Sequence, residues 1–252
     1  MTSALSIAEA AAAIRSNPAP IVLADTGALL DILRVTLPRE NAPARIVTAA
    51  KDMIQRVSST PRSIWILAAA IIEVEWKDNV EKVSNDSVGH VANIDRALLK
   101  LHEAIASISS SSAVRVVTGR SPHSFQAAPH YADLDLPKRL REMAEQILAS
   151  SLWIAPDEAI LRAAHTRSMA GLKPAATGKR ERPDCQVVET YFAVCNRLRT
   201  QGFKESCVFV SSNKADFYGE GPPLRPHEDL AGECTSLRLQ FALDFSHALS
   251  LL

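Results

Sequence analysis

The sequence lacks the patterns that would place a chain in a well-marked functional class. Its four cysteines form no CxxC pair or other zinc-ligand spacing, and its seven histidines have no metal-ligand spacing. No window reaches the roughly 18 consecutive apolar residues that a membrane span requires. The N-terminal segment has no basic start followed by a continuous apolar stretch, as a secretory signal does. We therefore expect a reduced, soluble, cytoplasmic protein with no membrane partner.

The sequence also lacks an excess of either charge. Lysine plus arginine and aspartate plus glutamate both number 28, so the formal net charge is zero. This balance argues against broad electrostatic attraction to nucleic acid and leaves only local basic segments to bind a polyanion. The most basic segment is the loop 171–183, whose cationic residues are Lys173, Lys179, Arg180 and Arg182.

Short apolar runs that end at polar residues predict the strands of an α/β fold. Residues 20–24 end at Asp25, residues 63–67 precede a helical pattern, and residues 206–210 end at a polar turn. Such continuous hydrophobic runs are typical of strands that are buried on both faces. A further β-prone run spans 237–243. Helical patterns are predicted over the residues between these runs: 4–15, 26–34, 42–57, 68–77, 80–108, 138–150, 157–170 and 184–199.

These elements predict one α/β domain of 252 residues with a central, mostly parallel sheet in three α/β/α layers. No internal repeat and no low-complexity linker divides the chain. The core is expected at about 20–80 and 155–220, with a helical insertion at about 80–155 and a C-terminal extension at 221–252. Within the insertion, residues 94, 98, 101, 105 and 108 form a single apolar stripe.

Polar residues follow several of the predicted strands or begin a helix. Because the carboxyl ends of parallel strands meet at one sheet edge, these side chains are expected to converge there. Clustered carboxylates repel one another unless a cation compensates, and oxygen ligands suit Mg²⁺ or Mn²⁺. The residues concerned are Asp25, Glu73 or Glu75, Asp184, Asn213 and Asp216. Asp25 and Asp184 also fit the plainer role of helix N-caps.

The order of these motifs resembles a PIN domain. An apolar strand ends at Asp25-Thr26-Gly27, and a strand–helix–Glu pattern follows. The two most specific motifs come later: 184–189, which reads DCQVVE, and 208–217, which reads VFVSSNKADF. The resemblance covers about 20–220 and is closer to larger bacterial PIN-like proteins with a helical insertion than to compact toxin-type members.

This resemblance implies a metal-dependent endoribonuclease that hydrolyses RNA phosphodiester bonds with Mg²⁺ or Mn²⁺. Carried onto this sequence, it makes Asp25, Glu75, Asp184 and Asp216 the catalytic residues and metal ligands. It leaves Glu73 as the alternative to Glu75, and Asn213 as the alternative to Asp216, since the family usually has a carboxylate at the position of Asn213. RNA is the implied substrate, with an antitoxin or other protein and a second copy of the chain as further partners.

Other residues are expected to contact the substrate. Thr26 is a candidate for positioning a water or a phosphate, and Asn213 is a candidate for substrate binding. The basic loop of Lys173, Lys179, Arg180 and Arg182 would clamp phosphates beside the acidic pocket. Arg162 and Arg167 would extend that surface if their helix lies alongside it.

A different function remains open. A PIN-fold protein that has lost catalysis would serve as a binding or scaffold subunit, and Asn213 favours this alternative. A haloacid dehalogenase-type phosphatase is disfavoured, because it needs a second aspartate where this chain has Gly27.

Overall fold

A computed structural model describes residues 4–38, 44–109, 134–175, 182–221, 223 and 225–252. Within these residues, one sheet of five parallel strands forms the centre of the protein. The strands lie in the spatial order β3-β2-β1-β4-β5. Their bounds are β1 Ile21–Ala24, β2 Trp65–Ala69, β3 Leu152–Ile154, β4 Cys207–Val210 and β5 Leu239–Ala242.

The described helices have the bounds α1 Ile7–Ser16, α2 Thr26–Arg34, α3 Arg45–Val57, α4 Ile71–Ser109, α5 Leu136–Ser150, α6 Glu158–Met169, α7 Arg182–Thr200, α8 Lys214–Phe217, α9 Glu228–Leu237 and α10 Phe245–Leu251. They form two packed groups. Helices α2, α3 and α5 contact one another and α10 contacts α3, whereas α1, α6 and α9 each contact α7. This α/β arrangement is compatible with the expected three-layer α/β/α fold. Among the described helices, none combines the length and the apolar character of a membrane span.

The three central strands, β1, β2 and β4, are buried along their whole length. Their continuous apolar sequences fit this position, because both faces of the sheet are covered by helices. The register pairs Ala24 with Val210 at the carboxyl ends of β1 and β4. The next residues along the chain, Asp25 and Ser211, therefore leave the sheet side by side.

Two strands, β2 and β3, differ from the sequence prediction, whereas β5 lies within the β-prone run predicted over 237–243. β2 begins two residues later than predicted, because Trp65 to Leu67 pair with β1 and Leu67 to Ala69 pair with β3. Its two alanines belong to the strand although alanine favours helices, since this part of the sheet has helices on both sides. β3 was not predicted and lies inside the expected insertion, and β5 lies inside the expected C-terminal extension. Both segments thus contribute to the central sheet.

The helix predicted over 80–108 is part of one continuous helix, α4, whose 39 residues span about 58 Å. Its predicted apolar stripe is not fully covered by described residues, since Ile94 is 37% exposed and Leu101 is 55% exposed. The β-prone run 113–117 and most of the polar stretch 118–135 lie outside the described residues. Trp65 and Trp76 are buried in the core, as the sequence predicts.

Candidate functional site

Asp25 lies at the carboxyl edge of β1 and is only 4% exposed. It occupies the N-cap position of α2, but its side chain makes no capping hydrogen bond. Instead, the Ser211 hydroxyl donates to Oδ2 of Asp25 over 2.7 Å. No lysine, arginine or histidine of the described residues forms an ion pair with Asp25. Asp25 is therefore a buried carboxyl group held by a neutral donor.

The environment of Asp25 raises its pKa from the ordinary value of 3.8 to about 6. Burial is the largest cause, because it removes the water that would solvate the charged form. The Ser211 hydrogen bond acts in the opposite direction, and the nearby Glu75 carboxylate raises the pKa further. The folded protein thus holds this carboxylate in a place where its charge is poorly compensated.

Glu75 is the second carboxylate at this place. It lies on α4, and its Oε2 accepts a hydrogen bond from Thr26 Oγ1 over 2.5 Å. Burial raises the pKa of Glu75, whereas the Thr26 hydrogen bond lowers it. Glu73 points elsewhere and pairs with Lys77 on the exposed side of the helix. Of the two candidate glutamates, Glu75 is therefore the one beside Asp25.

Gly27 packs closely against these groups. A Cβ at this position would lie 3.2 Å from Asp25 Oδ2 and 3.2 Å from Ser212 Oγ. Both distances are shorter than ordinary van der Waals contact for a methyl carbon, so a side chain would press against the carboxylate. Glycine therefore fits this close approach without displacing the Asp25 carboxylate.

Tyr191 ties the ends of β1 and β2 together beneath the site. Its buried hydroxyl donates to the carbonyl oxygen of Ala24 and accepts from the backbone N–H of Ala69 over 3.2 Å. Burial raises the pKa of Tyr191, and the charges of Asp25 and Glu75 raise it further.

Asp184 is half-buried in the first turn of α7, the same helix that carries Tyr191. It is the third residue of that helix, inside the first turn rather than at the capping position. About two helical turns separate it from Tyr191, which places both residues on one face of α7. Because α7 leads into the parallel strand β4, its N-terminus lies towards the carboxyl edge of the sheet. Asp184 therefore belongs to the side of the protein that carries Asp25.

Asp216 lies in the short helix α8 after β4 and forms a second polar group. Asn213 Nδ2 donates to Asp216 Oδ2 over 2.6 Å, and Lys173 Nζ is 3.7 Å from Asp216 Oδ1. The backbone N–H of Asn213 donates to Ser211 Oγ over 3.2 Å. A chain of hydrogen bonds thus connects Asp216 to Asp25 through Asn213 and Ser211.

Lys173 is the residue of the predicted basic loop whose side chain the structure describes. Its ammonium group also donates to the carbonyl oxygen of Ala215 over 2.7 Å, which fixes it beside Asp216. Lys179 and Arg180 lie outside the described residues, as does the side chain of Arg182. The phosphate clamp of four cations remains a prediction. Of these four, the structure places Lys173 next to Asp216.

The expectation that Arg167 extends this basic surface is wrong. Arg167 is 6% exposed and pairs with Glu189 and Glu233, because its helix α6 packs against α7 and turns this side chain inwards. Arg162 on the same helix is exposed, and it pairs with Glu158 one turn earlier. Arg167 is thus a buried ion-pair residue and offers no charge to a ligand.

The described residues contain no group of three or more histidine, cysteine, aspartate or glutamate side chains placed to hold one metal ion. Asp25 and Glu75 form a pair of carboxylates, whereas Asp216 is engaged by Asn213 and Lys173. A pair is still compatible with Mg²⁺, which is commonly bound through one or two carboxylates, several waters and substrate phosphates. The residues around Asp25 therefore fit such an ion in part.

Two residues of this site were not singled out as functional by the sequence reasoning. Ser211 could have been found from the sequence, because it directly follows the run predicted as β4, as Asp25 follows β1. Parallel pairing of these two strands places Ser211 beside Asp25. Tyr191 had none, since a tyrosine on a helix does not reveal which backbone groups its hydroxyl will reach.

Comparison of the chain with protein-family models, with curated proteins and with solved structures found no match. We therefore base the functional assignment on the side chains around Asp25.

Proposed function

We propose that this protein is a PIN-like, metal-dependent endoribonuclease that hydrolyses RNA phosphodiester bonds with Mg²⁺ or Mn²⁺. The observation that supports this proposal best is the buried Asp25 carboxylate. It is 4% exposed, and its pKa is raised to about 6 by burial and by the neighbouring charge of Glu75. A divalent cation would offset both causes, because an opposite charge favours the ionised form of a carboxyl group.

Asp25 and Glu75 would hold such an ion directly. The motif resemblance adds Asp184 as a further ligand, and Asp216 or Asn213 would complete the shell through water. A bound divalent ion lowers the pKa of a coordinated water and stabilises negative charge on a phosphoryl group. The α/β fold with a five-stranded parallel sheet supports a PIN-like assignment, although many protein classes share that architecture.

The remaining side chains of the site position these carboxylates. Ser211 orients Asp25, and Thr26 orients Glu75, each by donating a hydrogen bond to one carboxylate oxygen. Holding one oxygen in this way also fixes the direction of the other oxygen of each carboxylate. Gly27 packs closely beside Asp25 Oδ2, where a larger residue would displace the carboxylate. Lys173 supplies a positive charge near this edge, which would attract a substrate phosphate.

One observation favours a second function, that of a non-catalytic PIN-fold binding or scaffold protein. Asn213 stands where a carboxylate is usual in the resembled family, and its amide binds the Asp216 carboxylate. Lys173 lies against the same carboxylate. Asp216 is thus already partly neutralised by the protein, which would weaken it as a metal ligand.

Cleavage assays separate the two functions. Purified protein with Mn²⁺ is expected to cut single-stranded or structured RNA, and Asp25→Asn and Asp184→Asn are each expected to abolish the cut. Asp86→Asn is the matched control, because Asp86 is an exposed aspartate on α4. If varied RNA substrates stay intact with Mn²⁺ and calorimetry detects no metal binding, the scaffold function replaces the nuclease.

A further inference from the structure

A groove of about 600 Å³ lies beside the edge strand β5, away from Asp25. It is bordered by the residues that precede β4, by one side of α9 and by the first residues of β5. The residues before β4 and at the start of β5 lie at the amino edge of the sheet, whereas Asp25 leaves β1 at the carboxyl edge. The segment before α9 forms a further wall through Arg225 and Pro226.

The groove concentrates positive charge in a chain whose formal net charge is zero. Its lining contains four cationic residues, Arg199, Lys204, Arg225 and Arg238, and one acidic residue, Glu205. Within the described part of the chain, none of the four cations has a carboxylate at ion-pair distance. Lys204, Arg225 and Arg238 are exposed, so their charges are free to meet a ligand.

Arg199 forms the fixed floor of this charged surface. Its guanidinium donates to the carbonyl oxygens of Leu237 over 2.8 Å and of Phe203 over 2.9 Å. It also donates to the carbonyl oxygens of Glu205 and Arg238. These neutral partners order the arginine and the end of α9 without cancelling its positive charge. The groove is therefore built on a rigid base.

The backbone of Arg238 has a conformation that is uncommon for a residue with a side chain. Arg238 ends α9 in the left-handed region, at φ 51° and ψ 44°. Helices that end this way usually have glycine there, because a Cβ is strained in this region. Such strain persists where the surrounding structure holds it, and it concentrates at functional sites. An exposed arginine at this position places a long cationic side chain at the mouth of the groove.

From these observations we infer that the groove binds the phosphate backbone of an RNA strand at residues distinct from those of the Asp25 site. Arginine forks match phosphate oxygens, and unpaired cations along a groove favour a polyanion over a single small ion. This binding surface rests on the proposed function only for the choice of RNA as the polyanion. It would hold a part of the substrate that is not being cut.

Fluorescence anisotropy with a labelled uridine oligonucleotide tests this inference. The titrations are made in EDTA, so that neither a metal ion nor cleavage at Asp25 affects the result. The key variant is Arg238→Gly, because glycine adopts the left-handed conformation without strain and should leave the melting temperature unchanged or higher. Lys204→Ala and Arg225→Ala remove the other exposed charges. Arg15→Ala and Lys51→Ala are controls on exposed cations of α1 and α3.

We expect Arg238→Gly to weaken RNA binding by about fivefold or more, as for the loss of one charge-assisted phosphate contact. The slope of log K against log salt should fall by about 0.7, the contribution of one phosphate contact on a single strand. Lys204→Ala and Arg225→Ala should act in the same direction, and the two control variants should bind like the wild type. If RNA binding depends on Arg238 but the protein does not cut RNA, the groove is confirmed as an RNA-binding surface and only the nuclease proposal is refuted.

Three results would overturn the inference. Arg238→Gly could bind RNA as tightly as the wild type, or the control variants could lose as much affinity as the groove variants. A poly-glutamate peptide that binds as tightly as RNA, with the same dependence on Arg238, would replace RNA by an acidic protein as the occupant. If the wild type cuts RNA with Mn²⁺ in any of these cases, the nuclease stands and the groove alone is refuted.

Discussion

Replacing Asp25 by asparagine should make the stability of the metal-free protein less dependent on pH. Between acid and neutral pH, the variant should lose less unfolding free energy than the wild type does. The folded state raises the pKa of Asp25 from 3.8 to about 6, so it binds more protons than the unfolded chain between these values. Stability from this group is therefore present below about pH 3.8 and is lost as the pH rises through about 6. The full difference corresponds to about 3 kcal/mol of unfolding free energy, at about 1.4 kcal/mol per pKa unit.

The assay is chemical denaturation in EDTA at about pH 4.5 and about pH 7.5, for the wild type and Asp25→Asn. Between these conditions the wild type should lose about 2 kcal/mol more unfolding free energy than the variant, because part of the full difference lies below the lower pH. The asparagine amide has no assured acceptor in the site, and an unpaired donor costs about 1–3 kcal/mol at every pH. Comparing two pH values cancels that cost.

Asp86→Asn serves as the control, because this aspartate is exposed on α4. It should follow the wild type at both pH values. Equal losses of stability in the wild type and in Asp25→Asn would refute the reasoning, since Asp25 would then titrate alike in the folded and unfolded chains.

Three further changes probe the same site. Gly27→Ala would place a methyl group 3.2 Å from Asp25 Oδ2, so RNA cleavage with Mn²⁺ should fall at least about tenfold while circular dichroism stays unchanged. Full activity would show that displacing this carboxylate does not affect cleavage. Glu75→Gln should reduce RNA cleavage and Glu73→Gln should not, because only Glu75 accepts a hydrogen bond from Thr26. Equal cleavage rates for the two variants would show that Glu75 is not part of the site. Tyr191→Phe removes the hydroxyl that joins β1 and β2, so denaturation should show a loss of about 1–3 kcal/mol, and an unchanged midpoint would contradict that role.

Much of the sheet could be predicted from the sequence, because continuous apolar runs identify strands that are buried on both faces. The runs before Asp25 and before Ser211 are strands β1 and β4, as predicted. β3 was missed because its three residues follow α5 with one residue between them. A run this short has no periodicity of its own, and only its pairing with β2 makes it a strand.

The place of Asp25 at a sheet edge was also predictable, since the residue after a buried strand leaves the sheet at its carboxyl end. Its partners were harder to predict. Ser211 and Thr26 reach carboxylate oxygens through side-chain geometry, which depends on strand register and on how α4 packs. The inward turn of Arg167 follows from packing between α6 and α7, and a helical pattern does not specify which helix will be the neighbour.

The most direct test of the proposed metal site is Mn²⁺ binding followed by electron paramagnetic resonance. At about pH 7.5 the wild type should bind Mn²⁺ saturably, and binding should weaken at about pH 5, because protons compete for a carboxylate whose pKa is about 6. Asp25→Asn should bind no Mn²⁺ at either pH, whereas Asp86→Asn should bind it as the wild type does. Equal Mn²⁺ binding by the wild type and Asp25→Asn, or none by the wild type, would contradict a metal site at Asp25.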